Sequence, residues 1–151
     1  KRQKIGLSLV VVSAHATSCK LCVPWQGKIL IDDVYSGGKK EDGPYPLLSE
    51  AMRKNFLHPN CRHNLSTYFP GVTSLPTITD TKQVLRNYER EQKQRTLERQ
   101  IRAQKRIVAG TIDKENLKDE KKKLRELQGK MRKHLKNNPQ LRRNYRKERV
   151  Y

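Results

Sequence analysis

His58-Pro59-Asn60-Cys61-Arg62-His63 answers, about forty residues later, an earlier Cys19-Lys20-Leu21-Cys22, and these two segments decide how the first half of the chain folds. All three cysteines and three of the four histidines, counting His15, fall in this part of the sequence. Two thiolates at CxxC spacing reach one ion from a tight turn, and the second segment offers His58, Cys61 and His63 at HxxC and CxH spacing. Thiolates and imidazoles suit zinc. The stretch that carries them is too short and too polar to fold on apolar burial alone, so a structural Zn2+ site is the expected organiser. Four protein ligands make a closed site, whereas hydrolytic zinc needs an open position and a carboxylate base. Asp32, Asp33 and Glu50 are the acidic candidates, and none stands at motif spacing. A redox CxxC would call for a βαβ unit with a helix opening at the motif, and Pro24 fits a turn better.

Working outward, residues 7–14 (LSLVVVSA) read as a buried strand and 27–35 (GKILIDDVY) as a second. Residues 36–43 are a Gly/Lys/Asp-rich turn region. Leu47, Leu48, Ala51, Met52 and Phe56 lie at helical spacing, which predicts a short amphipathic helix over 46–56; 64–69 fits a third strand. Residues 71–80 read as a linker, with Thr79 or Asp80 capping a helix over 81–109 that contains no Gly or Pro. Gly110 is the expected C-cap. In a second helix Leu117, Leu124, Leu127, Met131 and Leu135 form a narrow seam, the pattern of a helical hairpin or coiled coil. Asn137-Asn138-Pro139 ends it, and residues 140–151 read as a basic tail, helical at its start. The expected fold class is α+β: a small metal-stapled domain over 1–70, a linker, and a basic helical arm and tail over 81–151.

Lys and Arg outnumber Asp and Glu by 34 to 15, a formal net charge of +19, and the excess is uneven. Residues 1–80 hold ten basic and six acidic side chains; 81–151 hold 24 and nine, a net +15. Such an arm seeks a polyanion or an acidic protein surface. Glutamates along both helices supply some intrahelical pairing, but not enough to balance the excess. The candidate nucleic-acid contacts on the first helix are Arg95, Arg99, Arg102, Lys105 and Arg106. On the second helix and tail they are Lys121, Lys122, Lys123, Arg132, Lys133, Arg142 and Arg143. No base-reading helix is evident, so double-stranded DNA would be bound independently of sequence. Trp25, beside the CxxC, is expected to cover the metal site or cap a small core, with base stacking as the sharper alternative. Three cysteines make no disulfide framework, no secretory signal is present, and the 7–12 run is too short to span a bilayer. These features point to folding in a reducing cytosol without membrane contact. The chain opens at Lys1 without Met, which reads as a fragment or a processed product.

Ser13-Ala14-His15, Cys22-Val23-Pro24-Trp25-Gln26-Gly27-Lys28, Tyr45-Pro46 and His58-Pro59-Asn60-Cys61-Arg62-His63 together resemble the tailed-phage minor capsid protein 2 family, akin to Mu F-like head morphogenesis proteins. Tyr88 to Gln92, Gln100 to Arg102 and Leu141 to Tyr145 look like that family's basic helical end. The resemblance implies a virion protein inside the capsid near the portal, assembled in the host cytoplasm, in multiple copies around the portal. Its partners would be the portal protein, other head proteins and packaged DNA, and its role head assembly and DNA packaging or delivery. It also favours Cys22, Cys61 and His63 as ligands, with Cys19 as the fourth, His15 beside them and His58 as a substitute for His63. No enzymatic activity is implied. The competing readings are a metal-dependent nuclease and a zinc-ribbon nucleic-acid-binding protein.

Overall fold

The computed structural model describes residues 6–78 and 80–150, and the chain falls into two compact units, Lys1–Tyr88 and Glu89–Tyr151. The first unit is built on a three-stranded antiparallel sheet in the order β2-β1-β3, with β1 at Leu9–Val12, β2 at Ile29–Ile31 and β3 at Leu65–Thr67. The valines of β1 suit a central strand because β-branched side chains pack well on a pleated surface. Val10 sits opposite Leu30 on one side and Thr67 on the other. Backbone pairing continues past the strand ends: the Ser13 N–H donates to Asn64 O and the Gly27 N–H to Val12 O. Both outer strands therefore enter beside the C-terminal end of β1. The residues just before β2 and just before β3 are held next to each other there.

Helix α1 (Leu48–Arg53) covers the sheet with Leu48 and Ala51, both fully buried, and Val10, Val12, Trp25, Leu30 and Phe56 complete the core with Cys22. Each large side chain so buried contributes about 1.5–3 kcal/mol. β2 is shorter than the strand expected over 27–35 because Asp32 turns the chain, its carboxylate accepting from the Tyr35 N–H at 2.8 Å and the Ser36 hydroxyl at 2.7 Å. α1 stops before residue 56 because Asn55 and Leu57 adopt left-handed backbone, with φ of 61° and 55°. Asn60 does the same at 65°. Asparagine tolerates this region, while for Leu57 it costs roughly 1–2 kcal/mol.

The stretch read as a linker runs over the first unit. Gly27 has φ of 69°, and a Cβ there would lie 2.9 Å from the Ile78 side chain. Asp80 caps α2 (Thr81–Gly110), its carboxylate accepting from the Gln83 N–H at 3.1 Å. Thr79 lies outside the described residues. Val84 in the first turn is fully buried, and the Asn87 side chain donates to Ala16 O at 3.1 Å, so the start of α2 is fastened to the first unit.

The second unit is an antiparallel helical hairpin with a folded-back tail. α2 runs through Gly110 instead of being capped by it, and α3 (Lys114–Lys136) begins after Asp113, whose carboxylate accepts from the Glu115 and Asn116 N–H groups. Leu97 and Ile101 of α2 pack against the predicted seam of Leu124, Leu127, Met131 and Leu135 on α3. Polar contacts fix the register: the His134 ring nitrogen Nε2 donates to Arg90 O at 3.0 Å, and the Gln104 amide to Glu120 O at 3.2 Å. The tail is not helical at its start. Residues 141–144 are irregular and Tyr145–Glu148 forms a 3-10 turn, because Glu148 pairs back onto Arg143. That carboxylate is 1% exposed and accepts two guanidinium hydrogen bonds of 2.8 Å.

Candidate functional site

Two matched turns build the cluster. The Cys22 N–H donates to Cys19 O at 3.1 Å, and the Cys61 N–H donates to His58 O at 2.9 Å. Each turn presents its first and fourth side chains, and the sheet holds the turns face to face. Across them, Cys19 Sγ lies 3.1 Å from His58 Nε2 and Cys22 Sγ lies 3.5 Å from Cys61 Sγ. Cys61 Sγ also lies 3.3 Å from His63 Nδ1. Cys19, Cys22 and His58 form one group of donors within 4.8 Å of one another, and Cys22, Cys61 and His63 form a second that shares Cys22. Bond lengths of about 2.3 Å to sulfur and 2.0–2.1 Å to nitrogen set the edge of a tetrahedral zinc site at about 3.5–3.8 Å. The three closest spacings lie near or below that edge, so each group of three could hold an ion, with Cys22 common to both. All five predicted donors are thus brought together.

Hydrogen bonds fix which ring nitrogens face the cluster. The His15 N–H donates to Gln26 Oε1 at 2.6 Å, which orients the buried amide. The same oxygen lies 3.2 Å from His63 Nε2, so that nitrogen carries the proton and Nδ1 turns its lone pair toward Cys61. His58 donates from Nδ1 to Pro59 O at 2.8 Å, leaving Nε2 toward Cys19. Carbonyl-type acceptors behind ligating imidazoles are the usual way their orientation is set. His15 is turned away, its Nε2 at 3.0 Å from the Ser13 hydroxyl and 3.1 Å from Arg62 O.

The electrostatics separate the donors. Burial, and then the nearby His15 and His58, push the His63 pKa down to about 4. The hydrogen bond with Cys19 raises that of His58. Burial opposes ionisation of Cys19, but His58 and the backbone N–H of Cys22 together hold its thiol below the ordinary value. Burial pushes the Cys22 thiol up, reinforced by the adjoining Cys61 and Cys19. Two of the three acidic candidates are used structurally: Asp32 makes its turn, and Asp33 accepts from the Ser49 N–H at 2.9 Å in the first turn of α1. Neither donor group contains a carboxylate. Trp25 is 8% exposed, packed beside Phe56 with Lys28 and Lys54 over its ring, so it caps the core and is closed to base stacking.

Among the candidate phosphate contacts, Arg95, Arg99 and Arg102 come together with Lys147 and Glu98 around a cleft of about 270 Å³. Arg106, Lys121, Lys122, Arg132, Lys133 and Arg142 are exposed. Lys105 donates to Glu148 O, Lys123 pairs with Glu120 and Arg143 with Glu148, so these charges are partly committed inside the unit. Sequence reasoning missed Lys147 and Gln26. Gln26 stood in the quoted WQGK motif, while nothing local marks Lys147.

Residues 1–136 match the family described as phage minor capsid protein 2. A "Structural protein" of Lactococcus phage LL-H is 29% identical over 116 residues, covering 73% of this chain and 31% of the relative. The chain therefore spans about a third of that relative's length. No solved structure matches. No helix among the described residues is long and apolar enough to cross a membrane.

Proposed function

The chain belongs to the phage minor capsid protein 2 family, and from that membership we propose that it is a non-enzymatic structural protein of the virion, placed inside the head near the portal. In this reading it acts in head assembly and in DNA packaging or delivery, in several copies. A zinc-stapled unit precedes a basic helical hairpin in the chain, and the hairpin meets packaged DNA.

The observation that carries the metal part is the convergence of three thiols and two imidazoles, without a carboxylate, on two facing turns. We assign Cys19, Cys22, Cys61 and His63 as the closing ligands. His63 is buried and its Nε2–H is committed to Gln26, so its other nitrogen can offer only a lone pair. His58 is less buried and its pKa is raised, which suits a hydrogen bond to the Cys19 sulfur. Zinc so held contributes no reaction. It links turns 39 residues apart, and by the chain-entropy estimate for a cross-link of that length it adds about 4 kcal/mol of stability.

The test is metal analysis of the purified chain with chelator melts, followed by cryo-electron imaging of assembled particles. One zinc per chain, a lowered melting temperature of the first unit on chelation and density near the portal are expected. A metal-free, chelator-insensitive fold would overturn the staple. Density confined to the outer shell would overturn the location.

A further inference from the structure

The cleft on the second unit is more organised than a solvated charged face. Arg95, Arg99 and Arg102 stand at spacings of four and three on α2, hence on one side of the helix. Lys147 reaches the same cleft from the tail, its ammonium 3.8 Å from the Glu98 carboxylate. Glu98 is 4% exposed and accepts from the Gln94 side chain at 3.0 Å. Two further contacts pin the tail to α2, the Gln94 amide donating to Arg142 O and Lys105 to Glu148 O, and Arg143 holds Glu148 within the tail. Four cations and one buried carboxylate thus face a single cleft. Among the described residues, Arg99 and Arg102 have no acidic partner, and Arg95 has only the surface pair with Glu91 at 3.5 Å.

We propose that this cleft seats the phosphate backbone of duplex DNA, with Arg95, Arg99 and Arg102 as the contact row and Lys147 closing it from the tail. The inference rests on the reading that the hairpin meets packaged DNA, and it narrows that reading to one place. From residue 95 to 102 the helix rises about 10 Å. One strand of duplex DNA presents about three phosphates over that axial length. Guanidinium forks match phosphate oxygens in pairs, and three arginines in a row suit that geometry better than scattered lysines do. No base edge is read, so binding is indifferent to sequence.

The experiment measures affinity of the full chain for a generic 30-base-pair duplex across a salt series, with circular dichroism as the check on folding. Replacing Arg95, Arg99 and Arg102 together with Gln should lower the salt slope by about three, one per lost phosphate contact. The single variants Arg99→Gln and Arg102→Gln should each lower it by about one, and they decide the matter if the triple variant misfolds. A control triple, Lys114→Gln, Lys118→Gln and Lys130→Gln, removes the same charge at exposed positions outside the candidate contacts and should change the slope by less than one. Equal losses in both triples would overturn the cleft while leaving DNA binding intact. A parent chain that fails to bind duplex at low salt would overturn both. Equal binding to polyglutamate, lost in the same variants, would reassign the cleft to an acidic protein surface.

Discussion

The thiol of Cys22 lies 3.5 Å from that of Cys61, across 39 positions of sequence. The sheet creates this proximity: each cysteine precedes a strand that enters beside the same end of β1, so β pairing delivers them before any ion is present. Such a site is partly formed in advance, and its ligands can be ranked by what already holds them.

Removing the two histidines should therefore have unequal effects. His63→Ala takes away a ligand and should weaken zinc binding by well over 100-fold. His58→Ala takes away a partner of the Cys19 sulfur and should cost about tenfold, within the range for groups behind a ligand. Competition with a chromophoric chelator measures both, and cobalt substitution reports the sulfur and nitrogen count. The reverse ranking would exchange the roles of the two residues.

Gln26→Ala should weaken zinc by about 10–100-fold without touching any ligand, because the acceptor that fixes the His63 ring is lost. Gln26→Glu keeps an acceptor in the same place and should retain most of the affinity. Equal affinity in the alanine variant and the parent would show that His63 is oriented by something else.

Acid should destabilise the metal-free protein in a definable window. His63 is held neutral to about pH 4, against an ordinary value of 6.5. Between those values the unfolded chain binds a proton that the folded chain does not, so stability falls as pH drops from 6.5 toward 4. His58 has the opposite sign: its raised pKa contributes stability that is complete below 6.5 and is lost as pH rises through its folded value. Urea midpoints across pH 4–6.5 should be steeper for the parent than for His63→Asn. Parallel curves would remove His63 from the account.

Glu148→Ala should cost the second unit about 3 kcal/mol, because Arg143 is left with its charge largely out of water. A Glu148→Ala, Arg143→Met double variant should recover much of the loss. Thermal melts of the three chains measure this, and a neutral single variant would mean that the tail is held by its backbone contacts alone.

Where neighbours in sequence cooperate, the fold and the site were readable in advance. The valine run of β1, the Gly- and Pro-free stretch of α2 and the seam from Leu124 to Leu135 are local patterns, and each became its expected element. The five residues that converge stood at CxxC, HxxC and CxH spacing, which is itself local. Gln26 and Glu148 could not be found that way. Gln26 acts only because strand pairing sets it against His15 and His63, and Glu148 only because the tail doubles back onto Arg143. The left-handed Leu57 was equally hidden, since its own side chain disfavours the conformation that the path into His58 requires.

The paired turns also make the chain between Cys22 and His58 a closed loop, of which β2 and α1 pack in the core and the rest lies outside it. At its far side the exposed 3-10 turn Lys40–Asp42 carries no core side chain. Doubling the length of a flexible loop costs only about 0.6 kcal/mol. An insertion at that turn leaves the donors in register, so this is the place where a tag, an epitope or a foreign domain can be carried without disturbing the centre.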